Sequence, residues 1–66
     1  MRTKNERLKV TSNEKERIFT IQSFINGDLF ATYETIEMSQ EEFEENENNT
    51  ENDWRQFLKT DNYYVI

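Results

Sequence analysis

Apolar residues alternate with polar ones in the first half of the chain and recur at helical spacing in the second. Leu8 and Val10 alternate with Arg7, Lys9 and Thr11, which predicts a short edge strand. Residues 12–15 read as a turn, and the polar residues 1–6 as a frayed lead. Residues 17–24 are β-branched and aromatic and predict a strong strand. Asn26-Gly27 is the hairpin signal, and residues 29–37 form the returning strand.

The hydrophobic pattern selects a register for this hairpin. A two-residue Asn26-Gly27 turn pairs Phe24 with Leu29 and puts Phe19, Ile21, Phe30, Thr32 and Glu34 on one face, a mixed set. A three-residue loop, Ile25-Asn26-Gly27 with Gly27 left-handed, shifts the pairing by one. One face then collects Phe19, Ile21, Ser23, Leu29, Ala31 and Tyr33, and this register is preferred because a one-residue slip turns every side chain over. The opposite face carries Ile18, Thr20, Gln22, Phe24, Phe30, Thr32, Glu34 and Ile36. Ile18, Phe24, Phe30 and Ile36 are too apolar for a face that meets only water. They are either covered by the N-terminal segment, chosen for strand propensity, or the interface of a homodimer.

Residues 38–43 carry a complete helix start. Ser39 is the N-cap, Glu42 closes a capping box, and Met38 and Phe43 occupy the staple positions. Thr50 caps again with Asp53 three residues on, and Trp54, Phe57 and Leu58 then point at the core. Helices are expected over 40–46 and 51–59 with a break between them. One continuous helix is the alternative, since Phe43 and Trp54 are 11 residues apart and share a face. Asn62 is expected as a left-handed C-cap and residues 63–66 as a last short strand. The fold class is α+β: a single domain over 1–66 with a small antiparallel sheet. Its order is ββαβ, with or without the extra N-terminal edge strand, packed by an acidic helix or a kinked helix pair.

Composition narrows the chemistry. The 66 residues include no histidine, cysteine or proline and one glycine. That removes histidine and thiol catalysis, disulfides and His/Cys metal sites. The Glu/Asn-rich stretch lacks the spacing and central glycine of a calcium loop, so neither metal nor cofactor is expected. Paired carboxylates of the glycosidase kind need a cleft that so short a chain can hardly form, and the expectation is that this is not an enzyme.

Charge then points to a partner. The net charge is −6, but residues 18–54 contain ten acidic residues and no Lys or Arg, while residues 1–17 carry a net +3. The acidic segment repels nucleic acid and anionic lipid and attracts a basic protein surface. No apolar stretch approaches the roughly 20 residues of a membrane span, and no secretory h-region is present, so a cytoplasmic protein is expected. Carboxylates at i, i+3 and i+4 of a helix lie about 5–6 Å apart, near the roughly 7 Å between phosphates along a DNA strand. Glu34 and Glu37 lead towards a row continued by Glu41, Glu44, Glu45 and Glu47. The bland reading of that row is a solvated face that keeps a small protein soluble. Phe43 is either the helix staple or an apolar plug ringed by acids.

In this order and local spacing the chain resembles the very small phage-encoded uracil-DNA glycosylase inhibitors, acidic dimeric proteins that mimic DNA. The resemblance spans roughly residues 18–66: a hairpin with a Gly turn, an acidic helix opened by Ser39, the Phe43-Glu44 pair, Asn49-Thr50, and a last strand. It implies that Phe43 enters the pocket that normally grips the DNA minor groove, and that Glu44 and its neighbours replace phosphates. Where that family carries a second aromatic one turn after the phenylalanine, this chain has Glu47. The expected function is therefore non-enzymatic inhibition of a DNA-binding host protein, uracil-DNA glycosylase first among them. The alternative is a small acidic interaction module, such as an antitoxin, an anti-repressor or another anti-defence protein, that binds through the apolar outer sheet face.

Overall fold

A computed structural model describes residues 6–66. The elements are β1 (Glu6–Asn13), β2 (Ile18–Ile25), β3 (Asp28–Thr35), α1 (Gln40–Asn46), α2 (Glu51–Phe57) and β4 (Tyr63–Val65). The strands form one antiparallel sheet in the order β1-β2-β3-β4. The protein is thus α+β with a small antiparallel sheet, as the hydrophobic pattern predicts.

β1 is longer than expected. It matches β2 residue for residue from Glu6↔Ile25 to Asn13↔Ile18. Ser12 and Asn13 extend the strand instead of turning. The turn comes later: the Asn13 side-chain oxygen accepts from the Glu16 N–H at 3.1 Å, and Arg17 takes φ +55°, so it belongs to the turn and not to β2. Glu6, expected to fray, is half-buried and in the ladder; the rest of that lead lies outside the described residues.

The central hairpin has the anticipated core face by a different route. The loop is Asn26-Gly27 alone, both with positive φ (54° and 87°), the two-residue turn whose twist suits a hairpin. Phe24 therefore pairs with Leu29, while Ser23 pairs with Ala31 and Ile21 with Tyr33. Phe30 is the extra residue of a β-bulge, and it shifts the ladder by one beyond the turn. Phe19, Ile21, Ser23, Ala31 and Tyr33 share the inner face as expected, but Leu29 goes to the outer face opposite Phe24.

Both helices lie on the inner face. Each opens with a complete capping box, Ser39 with Glu42 and Thr50 with Asp53. Two independent caps explain why 40–57 is not one helix: Thr50 takes an extended ψ of 172° to cap α2. α2 ends at Phe57, two residues short of expectation, and the Lys59 and Thr60 N–H groups donate to Gln56 and Phe57 carbonyls. Asn62 is not a left-handed cap, since Arg17 and Asn26 are the non-glycine residues with positive φ among those described.

The core is Phe19, Ile21, Phe43 and Trp54, with Leu8, Val10, Tyr33, Met38, Phe57 and Leu58 packed around it. Phe43 stacks on Phe19 at a centroid separation of 4.7 Å, and Trp54 tilts against the same ring at 4.8 Å. Two buried polar groups are satisfied: Thr35 Oγ1 accepts from the Phe19 N–H at 2.9 Å, and Ser23 Oγ donates to Glu6 at 3.0 Å.

Candidate functional site

Two surfaces carry the residues singled out from the sequence, and the sheet lies between them. On the helix side, Phe43 faces inward and is 0% exposed. A fully buried ring stacked on Phe19 cannot enter a partner's pocket, so the plug role is corrected to a core role. The staple position explains it: Met38 and Phe43 close the first turn of α1 over the sheet.

With Phe43 inward, helical geometry turns Glu41 and Glu45 outward as an i, i+4 pair, with Glu44 beside them. All three are exposed. Glu44 accepts from Gln40 Nε2 at 2.9 Å, which holds it along the helix. Glu41 and Glu45 form no ion pair among the described residues. Like charges four apart repel, and what offsets this is the helix N-terminus, the capping box and the buried Phe43.

The expected row of six carboxylates is broken. Glu34 pairs with Thr20 and Tyr64 on the outer face, on the other side of the sheet from α1. Glu37 is neutralised by Arg17, whose Nη2 donates to it while Nε donates to the Met38 carbonyl at 2.7 Å. Glu47 is the C-cap of α1 and lines a cleft with Val10, Ser12 and Trp54, away from the outward trio. A period-two strand and a 3.6-period helix cannot keep one side across the bend at residues 36–39.

Other carboxylates hold the fold. Glu51 accepts from the Leu8 N–H at 2.8 Å and from Arg7, and Arg55 reaches both Glu51 at 3.0 Å and the Glu6 carbonyl at 2.9 Å. The Leu8 N–H, then the two guanidinium groups, hold the Glu51 carboxyl below its ordinary value. The Glu51–Arg55 pair follows from i, i+4 spacing on α2, whereas the partnership with β1 depends on tertiary placement. Burial, then Tyr63 and Glu6, push the Tyr33 phenol up.

The outer sheet face is the second surface. Phe24 and Ile18 are half-buried there, and Leu29 and Phe30 are 55% and 67% exposed. Tyr64, unremarked in the sequence pattern, joins Ile18 and Glu34 in one shallow depression. Ile36 leaves this face. It follows the last residue of β3 and lines an open groove of about 310 Å³ with Met38, Glu42, Asn46 and Phe57 on the helix side. Among the described residues no group of three acidic side chains converges as a metal site, and no helix is long and apolar enough to cross a membrane. No protein-family model, curated protein or solved structure matches this chain.

Proposed function

We propose that this chain is a non-enzymatic inhibitor that covers the nucleic-acid-binding surface of another protein, with carboxylates of α1 in the place of phosphates. The observation that carries the reading is the outward trio Glu41, Glu44 and Glu45 on a doubly anchored helix. Phe43 and the capping box fix that helix, and no Lys or Arg between residues 18 and 54 neutralises it. A cytoplasmic setting, inside a phage-infected host, suits such a role. Because Phe43 is part of the core, recognition rests on charge and not on an inserted ring. A positively charged groove binds such a row with a strong dependence on salt.

Uracil-DNA glycosylase is the first target to test. Titration of the enzyme with this chain at low salt is expected to abolish cleavage of uracil-containing DNA near equimolar ratio. The triple substitution Glu41→Gln, Glu44→Gln, Glu45→Gln is expected to restore activity without unfolding the inhibitor. Full activity in the presence of excess chain removes that target. Binding that survives the triple substitution removes the mimicry.

The exposed outer face supports a second reading, in which a different protein docks there. Loss of partner capture on Phe24→Asp or Phe30→Asp, with the α1 trio intact, would favour it.

A further inference from the structure

β1 is an edge strand, and its free side is covered at one end only. Glu51 accepts from the Leu8 N–H and Arg55 donates to the Glu6 carbonyl, so the even-numbered residues of β1 turn their main-chain groups away from β2. The Phe19 N–H, opposite Ser12, donates to Thr35 on β3 and fixes the same parity at the other end of the strand. Glu51 and Arg55 thus stand where a neighbouring strand would, at Glu6 and Leu8. Beyond them, the N–H and C=O groups of Val10 and Ser12 have no hydrogen-bond partner among the described residues. Unpaired groups on an edge strand are a template for a further strand. The opposite edge, β4, is three residues long.

The side chains of the same two residues line a cleft of about 240 Å³, shared with Trp54, Asn46, Glu47 and Asn49. Val10 and Trp54 are its apolar part. Glu47 is exposed and forms no ion pair among the described residues. Asn49 Nδ2 donates to Asn46 Oδ1 at 2.6 Å, and Asn46 Nδ2 donates to the Glu42 carbonyl at 2.8 Å. The Asn49 amide oxygen is left as an acceptor with no donor among the described residues. A cationic group on an apolar stem matches this set, with its methylenes against Val10 and Trp54 and its head at Glu47 and Asn49. A strand added antiparallel to β1 delivers such a side chain. Its residues opposite Val10 and Ser12 point to the cleft side of the sheet, and their N–H groups donate to the Val10 and Ser12 carbonyls. Main-chain bonds then give affinity and the cleft gives selectivity. We propose that the open edge of β1 at Val10 and Ser12 binds an extended segment of another protein as a fifth strand, with a Lys or Arg side chain of that segment in the cleft against Glu47. The outward trio of α1 takes no part in it.

The probe is the peptide acetyl-Thr-Val-Lys-Thr-Lys-Val-Thr-amide, titrated into the ¹⁵N-labelled chain and followed by amide chemical shifts. The expected result is saturable shifts centred on the Val10, Ser12 and Glu47 amides, with a dissociation constant below about 1 mM. Methylating the main-chain nitrogens of both peptide lysines keeps the charge and removes the two donors, and is expected to weaken binding at least about fivefold. Glu47→Gln is expected to weaken it at least about threefold, whereas Glu41→Gln, the same change of net charge from −6 to −5, leaves it within about 1.5-fold. Both positions are exposed, and circular dichroism checks that both variants fold. Absence of saturable shifts at Val10 and Ser12, undiminished binding of the methylated peptide, or equal losses from the two Gln variants overturns the proposal. Shifts at Val10 and Ser12 that follow the chain's own concentration without peptide assign the edge to a second copy and overturn it too. No nucleic-acid-binding protein enters the measurement, so its outcome is independent of the function proposed above.

Discussion

The ring of Phe43 lies against that of Phe19 with centroids 4.7 Å apart and planes 21° from parallel. This one contact joins the acidic helix to the sheet. It also decides what Phe43 is for, because a ring buried against β2 is a structural element of the acidic face and not a contact residue.

Phe43→Ala is accordingly expected to destabilise the protein by about 3–5 kcal/mol. A chain of this size has a total of roughly 3–10 kcal/mol. Urea denaturation followed by Trp54 fluorescence measures the change. A substitution that binds partners less well but unfolds at the same urea concentration would contradict the core assignment.

Gly27→Ala is expected to cost about 1 kcal/mol. The glycine has φ +87°, and a methyl group there meets no atom within 4 Å, so the penalty is conformational alone. The same denaturation experiment reads it, and Gly27→Asn is expected to recover part of the loss.

Thr50→Ala removes the side-chain acceptor of the Asp53 N–H, 3.1 Å away, and is expected to destabilise by about 1 kcal/mol. Amide hydrogen exchange should place the added exposure in α2 and in the Leu8 amide that α2 protects.

Glu51 has a lowered folded-state pKa, so its contribution to stability is full above the ordinary value of 4.5 and lost as pH falls through the lowered value. The difference in melting temperature between wild type and Glu51→Gln is therefore expected to be largest near pH 6–7 and to shrink on acidification below about pH 4.5. A difference that stays constant with pH would remove the Leu8 and Arg7 contacts from the account.

Salt is expected to raise the melting temperature, because ten like charges between residues 18 and 54 are partly screened as the Debye length falls from about 30 Å at 0.01 M to 3 Å at 1 M. The triple Gln variant of α1 should melt higher at low salt and show a smaller rise.

Features governed by local rules were readable from the residues. Ser39 and Thr50 announced both helix starts through side chains that satisfy nearby N–H groups, and alternation identified the inner face of β2 and β3. What escaped depended on contacts distant in the chain. Phe30 became a bulge because the Asn26-Gly27 turn and the packing of Ile21 against the helices demand registers that differ by one residue. Glu34 parted from the α1 carboxylates because the strand turns it to the far side of the sheet. Glu51 looked like one more charge in an acidic run until Leu8, 43 residues earlier, supplied the N–H it accepts.

That last bond also governs how the protein is made. β1 can be latched to α2 only when residue 51 is available to residue 8, so a growing chain that has emitted its first three strands still lacks both Phe43 and Glu51. The inner face of the hairpin strands stays bare until residues 43–54 have been made. Folding is then completed by closure of a long loop, which slows the search and makes the waiting sheet the stage at which a chaperone would find it.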